Sequence, residues 1–180
     1  LSTVLEAMKS NNMLHITFKA FTMKEPKRFL VEPYCVKMSA QRWYMLARNT
    51  EHKNLRLYSL DRIEAVEISN TRFVLPDDFN AKDYFAEFFG IVLDESVPLQ
   101  TIILRADKYH QNYMRTLPLH PTQREIFACD DYADFELKLR PTYDFYMKLM
   151  SFGNMIKVLE PKNLQEEICK WLENTIEMYR

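Results

Sequence analysis

QRWYMLARNTEHKNLRLYSLDRIEAVEI, residues 41–68, holds two runs of strand-forming residues, Arg42 to Ala47 and Leu55 to Leu60, on either side of a polar segment from Asn49 to Asn54. That is the pattern of a β-hairpin with a medium loop. Side chains alternate between the two faces of a strand, so Trp43, Met45 and Ala47 share one face while Arg42, Tyr44, Leu46 and Arg48 share the other. In the second run Arg56 and Tyr58 lie opposite Leu55 and Leu57. Asp61 and Arg62 then form a charged corner, and Ile63 to Ile68 is expected to be a third strand.

Upstream, His15 to Phe21, Arg28 to Glu32 and Tyr34 to Met38 read as strands, with Pro33 at a boundary because it lacks a donor for the ladder. Ser2 opens a short helix that Asn11 and Asn12 end. So many short strands in so few residues predict a small β-barrel. Arg72 to Leu75 adds a candidate edge strand, and Tyr84, Phe85, Phe88 and Phe89 mark a helix over Ala81 to Phe89 that Gly90 stops. Beyond Pro98 the order is strand (Thr101 to Arg105), helix (Asp107 to Thr116), strand (Arg124 to Ala128), strand (Phe135 to Leu139), helix (Thr142 to Ser151) and strand (Ile156 to Leu159). This β-α-β-β-α-β order predicts a ferredoxin-like domain, and an amphipathic helix from Asn163 to Tyr179 follows it. The fold class is therefore α+β. The expected boundaries are a connecting helix at 1–13, the barrel at 14–76, a helix and linker at 77–98, and the ferredoxin-like part at 99–180.

Trp43-Tyr44-Met45, followed by Arg56, Tyr58 and Leu60-Asp61-Arg62-Ile63, resembles the WYL domain of bacterial transcriptional regulators, with Met45 where the family usually has Leu. Arg28 to Tyr34 is similar to the family's Arg-x-x-x-x-Pro-Tyr element, and Ser151-Phe152-Gly153 with Val158-Leu159-Glu160-Pro161 to the extension that often follows such domains. The resemblance implies a small Sm-like barrel that senses a nucleic-acid-like effector, a helix-turn-helix domain preceding Leu1 that touches DNA, and a homodimer. It also exposes a departure. Where the family often places Tyr-x-Ser on the first strand, this chain has Phe18-Lys19-Ala20, so two hydroxyls that would bond a ligand are gone. Lys19 and His52 are candidate replacement donors.

The residues themselves narrow the chemistry. Only two glycines are present, which removes phosphate-cradling loops of the P-loop or Rossmann kind. The four histidines have no HxxxH or HExxH spacing, the three cysteines form no CxxC, and no Gly-x-Ser-x-Gly elbow exists, so neither an enzyme nor a cofactor or metal site is expected. A formal net charge of −1 is not that of a protein gripping duplex DNA through phosphates alone. Three well-separated cysteines and no apolar run near the roughly 20 residues of a membrane span point to the cytoplasm. The candidate ligand site is Arg28, Arg48, Arg56 and Arg62 as phosphate clamps, with Tyr44 or Tyr58 stacking on a base or bonding a sugar, for a nucleotide or short single strand. The alternative is a purely structural oligomerisation module, in which Trp43 and Tyr44 are core residues, Arg62 pairs with Asp61 or Glu64, and the other arginines meet local carboxylates or solvent.

Overall fold

The computed structural model describes every residue from Leu1 to Arg180 and divides into two compact units, Leu1–Tyr84 and Phe85–Arg180. In the first unit α1 (Ser2–Ser10) buries Val4 and Ala7 and closes on Asn11, whose φ of 53° is left-handed. Asparagine tolerates that conformation better than most residues. Five strands follow: β1 (Asn12–Phe18), β2 (Lys27–Ser39), β3 (Arg42–Asn49), β4 (Leu55–Ser59) and β5 (Ile63–Arg72). They form one antiparallel sheet in the order β4-β3-β2-β1-β5. Leu14, Ile16 and Phe18 of β1, Phe29 and Val31 of β2, Met45 and Ala47 of β3 and Tyr58 of β4 bury one face against α1.

The barrel expected from the strand count is not closed by hydrogen bonds, because β4 and β5 are the outer strands and share no ladder. Yet only the 3₁₀ turn Leu60–Arg62 joins them. Four inter-strand gaps of about 4.8 Å give a flat sheet roughly 19 Å wide, whereas the four steps from Ser59 to Ile63 reach only about 14 Å even when extended. The sheet must therefore curl until its edges approach. Pro33 does not split β2 as expected. Pairing with β1 ends at Val31, and the register with β3 shifts between Pro33 and Cys35, so the proline sits at a bulge on a stretch bonded along one side only.

At the boundary, α2 spans only Ala81–Phe85, shorter than the expected Ala81 to Phe89. Phe88 instead forms a bridge with Arg140, whose N–H donates to the Glu87 carbonyl at 2.7 Å, so the backbone leaves the helix to pair. The second unit continues through β6 (Gln100–Asp107), α3 (His110–Thr116), β7 (Arg124–Ala128), β8 (Tyr132–Leu139), α4 (Tyr143–Met150), β9 (Ile156–Glu160) and α5 (Lys162–Glu177). Its antiparallel sheet runs β7-β8-β6-β9. Ile102, Leu104, Phe135, Leu137 and Val158 present one face to Met114 of α3, Phe145 and Leu149 of α4 and Leu164 of α5. On the opposite face Arg105 grips Asp134 with two bonds of 2.7 and 2.8 Å and lies 3.7 Å over the Tyr132 ring. The chain is thus mixed α+β with two antiparallel sheets.

Candidate functional site

Strand register decides which of the candidate residues share a surface. Tyr44 stands opposite Ser59, Met45 opposite Tyr58, Ala47 opposite Arg56 and Arg48 opposite Leu55. Directly opposed residues project to the same side, so Arg56 and Tyr58 lie on the face of Met45 and Ala47, while Tyr44 and Arg48 lie on the other. Glu32 opposes Arg48, which places Arg28, two residue pairs further along β2, on the Arg48 face. The five candidates on strands are divided between two surfaces, and Arg62 lies in the turn between β4 and β5.

Both tyrosines are interior. Tyr44 is 7% exposed and Tyr58 3%, and the Tyr58 hydroxyl accepts a 3.0 Å bond from Asn49 Nδ2 while its ring meets Phe18 edge-on at 5.2 Å. As packed, neither offers a face to a ligand. Arg28 forms an exposed 2.8 Å ion pair with Glu67, and Arg48 reaches both Glu32 carboxylate oxygens at 3.3 Å through one nitrogen. Arg42 pairs with Asp61, whose carboxylate also accepts a short bond from the Ser59 hydroxyl; that bond, with further help from Arg42 and Arg62, holds Asp61 below the usual aspartate range. Arg56 is exposed and carries no ion pair. Arg62 pairs with neither Asp61 nor Glu64. Its guanidinium lies 3.9 Å from the Phe21 ring centre, and its Nε is buried without a hydrogen-bond partner.

Arg48 lines an open hollow of about 410 Å³ together with Tyr34, Lys53, Leu55, Pro76, Asp78, Phe79, Asn80, Asp83 and Tyr84. Tyr34 meets Phe79 edge-on at 4.9 Å, and Phe79 lies 6.0 Å from Tyr84, so the wall is aromatic while two cations and two carboxylates stand around it. Lys53 owes its place to a left-handed backbone (φ 55°) in the β3–β4 loop. The loop is pinned by Asn49 Oδ1, which accepts from the N–H groups of Glu51 and His52. Apart from Arg48, none of these lining residues is among the six candidates that the amino-acid pattern singles out; Asp78 follows Pro76 in a stretch without strand or helix periodicity, and Lys53 has only its place in the loop to mark it.

The amino-acid patterns of two families fall one within each unit. Residues 1–68 match the WYL domain model and residues 98–176 the WCX domain model. The chain carries a WYL domain followed by a WCX domain. Two solved structures align with most of it. Proteasome accessory factor B/C of Arthrobacter aurescens is 20% identical over 93% of this chain and 25% of its own, at a TM-score of 0.45. A CRISPR Cas-related protein is 14% identical over 98% of this chain and 51% of its own, at a TM-score of 0.56, and shares the fold. The chain therefore spans about a quarter and about half of the lengths of these two structures. No curated protein matches it. No group of three or more histidine, cysteine, aspartate or glutamate side chains is disposed to hold a metal ion, and no helix is long and apolar enough to cross a membrane.

Burial raises the Tyr34 and Tyr58 hydroxyls of the WYL domain and Tyr146 of the WCX domain above the ordinary tyrosine range; at Tyr34 the charge of Glu32 adds to the effect and at Tyr146 that of Glu167. Because the folded chain disfavours these phenolates, the stability they confer is complete below the ordinary tyrosine pKa of about 10 and is lost as pH rises through the higher folded values. A spectrophotometric titration is expected to show these three of the ten tyrosines ionising after the exposed ones, with thermal stability falling over the same interval. A single wave for all ten, complete while the fold is intact, would contradict the packing described.

Proposed function

We propose that the chain is the effector-sensing and dimerisation region of a cytoplasmic bacterial transcriptional regulator, whose DNA-binding helix-turn-helix lies outside this sequence. In this reading the curled sheet of the WYL domain is an Sm-like barrel and the WCX domain a ferredoxin-like fold, for which its β-α-β-β-α-β order and β7-β8-β6-β9 sheet speak. The effector is a nucleotide or short single-stranded nucleic acid. The observation that carries this is the WYL-domain hollow whose lining combines Arg48 and Lys53 with the rings of Tyr34, Phe79 and Tyr84 and the carboxylates of Asp78 and Asp83. Phosphates suit the two cations, a base suits the rings, and exocyclic base amines suit the carboxylates. Arg56 and Arg62, which have no carboxylate partner, stand outside this hollow, Arg56 on the face opposite Arg48, and form a separate cationic contact for a longer strand in this proposal, while Arg28, Tyr44 and Tyr58 support the strands. Binding would shift the DNA-binding equilibrium through its different affinity for two states.

Fluorescence anisotropy with a labelled short oligodeoxycytidylate, whose bases carry exocyclic amines, tests the reading. Arg48→Ala with Lys53→Ala is expected to weaken binding by about tenfold or more and to flatten the salt dependence by roughly 0.7 in log–log slope for each phosphate contact removed. Arg56→Ala with Arg62→Ala is expected to weaken it as well. Affinity unchanged in both double variants would reject the assignment. Leu172 and Ile176 of α5 are exposed apolar residues and the proposed dimer contact, for which sedimentation velocity gives the assembly state.

A second reading has its own support. Arg28, Arg42 and Arg48 each meet a carboxylate, as a structural oligomerisation module without a ligand requires. That reading predicts no saturable binding of nucleotide or oligonucleotide by the native chain.

A further inference from the structure

The WCX domain contains a second hollow, of about 490 Å³, between the loop before β6 and the helices α4 and α5. Three of its side chains are aromatic. Tyr146 stacks on Trp171 with centroids 5.3 Å apart and 25° between planes, and Tyr143 lies 5.7 Å from the same indole. Two are acidic, Asp94 and Glu167, and no lysine, arginine or histidine lines the space. The Trp171 indole N–H donates to one Glu167 oxygen at 2.8 Å, which fixes the carboxylate against the rings. Asp94 Oδ1 accepts from the Ser96 N–H at 3.0 Å and the Ser96 hydroxyl at 2.6 Å, which keeps Asp94 below the usual aspartate range and ionised at neutral pH.

Two polar atoms in the lining residues are left over. Gln100 Oε1 and Thr142 Oγ1 are buried and have no hydrogen-bond partner, and Thr142, 3% exposed, precedes α4 without capping it. Buried polar groups are almost always satisfied, so two orphaned side chains among the lining residues mark missing partners; both atoms are closed to solvent, and a ligand meets them only when the Gln100 and Thr142 side chains turn toward the hollow. The amide oxygen only accepts, the hydroxyl can accept, and both carboxylates only accept. Electron-rich ring faces attract positive charge.

We propose that this hollow binds a small organic cation bearing N–H donors, an aliphatic amine or guanidinium compound, with its charge between the Glu167 and Asp94 carboxylates and the Tyr143, Tyr146 and Trp171 rings and its N–H groups met by the Gln100 and Thr142 side chains as they turn toward it. The volume lies within the range of about 300–1,000 Å³ typical of small-molecule pockets. This site is separate from the WYL-domain hollow and does not depend on the nucleotide reading.

Isothermal titration calorimetry of the whole chain with agmatine and spermidine tests it, with tetramethylammonium, which has charge but no N–H, and butyrate as controls. At least one amine is expected to bind saturably in the submillimolar range, with tetramethylammonium at least about tenfold weaker and butyrate silent. Glu167→Gln keeps an oxygen for the Trp171 N–H and removes the charge, so it should weaken the amine about tenfold or more, whereas Glu173→Gln, elsewhere on α5, should not. Asp94→Asn, on an exposed loop, serves if the Glu167 variant melts early. The proposal is overturned if neither amine binds saturably, or if binding survives Glu167→Gln and Asp94→Asn unchanged.

Discussion

Phe145→Ala lowers the stability of the second unit by about 3–5 kcal/mol, the range for removing a large aromatic side chain from a rigid core. Phe145 is fully buried, and its ring meets Phe89 edge-on at 5.3 Å among the residues that both layers contribute. Neither the sheet nor α4 can collapse into the space, since α4 is tied through the Asp144 carboxylate to the backbone N–H groups of Ile91 and Val92. Urea denaturation is expected to show a midpoint shift at nearly constant slope. Phe145→Leu, which keeps most of the volume, should cost roughly 1–2 kcal/mol. A loss below about 1 kcal/mol for the alanine variant would mean that the core is fluid at this position.

Gly90→Ala is expected to destabilise the same unit by about 3 kcal/mol, from two causes that add. Gly90 has φ +78°, where any side chain is strained, and a Cβ there would run into the Asp144 carboxylate. That carboxylate cannot swing aside freely, because Oδ2 holds the N–H groups of Ile91 at 2.6 Å and Val92 at 2.9 Å. Differential scanning calorimetry should register a fall in Tm of roughly 12–24 °C, using 4–8 °C per kcal/mol for a domain of this size. Adding Asp144→Ala should cost much less than it does alone, because the bonds it removes are already broken. Full additivity would show that Gly90 and Asp144 are not coupled.

The hairpin from Arg42 to Ser59 was legible because strand alternation and a polar loop are local signals, and the β-α-β-β-α-β order was legible because each element there has its own periodicity. Partners across elements were not. Parity within β3 and β4 sorts each strand into two faces, but whether Tyr58 faces Met45 or Tyr44 depends on the register set by the loop. That register puts Arg56 and Tyr58 on the opposite side from Arg48. Tyr58 reads in the sequence as a platform for a base; the Asn49 amide that holds its hydroxyl cannot be inferred there. The aromatic run ending in Phe88 and Phe89 has helical spacing, yet pairing with Arg140 overrides it. In the WCX domain, Tyr143 and Tyr146 stand three apart on α4 and Glu167 and Trp171 four apart on α5, each a visible helical pair, whereas the enclosure they form together depends on how the two helices pack.

The proposed sensing role requires the WYL domain to hold an anionic, base-bearing ligand in the hollow around Arg48. The direct measurement is a backbone and arginine side-chain NMR titration of the labelled chain with a short oligodeoxycytidylate. Saturable shifts at Arg48, Lys53, Phe79 and Asn80, with the Arg48 signal leaving its Glu32-paired position, are the predicted result. Shifts that are absent, or that scatter over exposed lysines without saturating while the hollow stays silent, would contradict it.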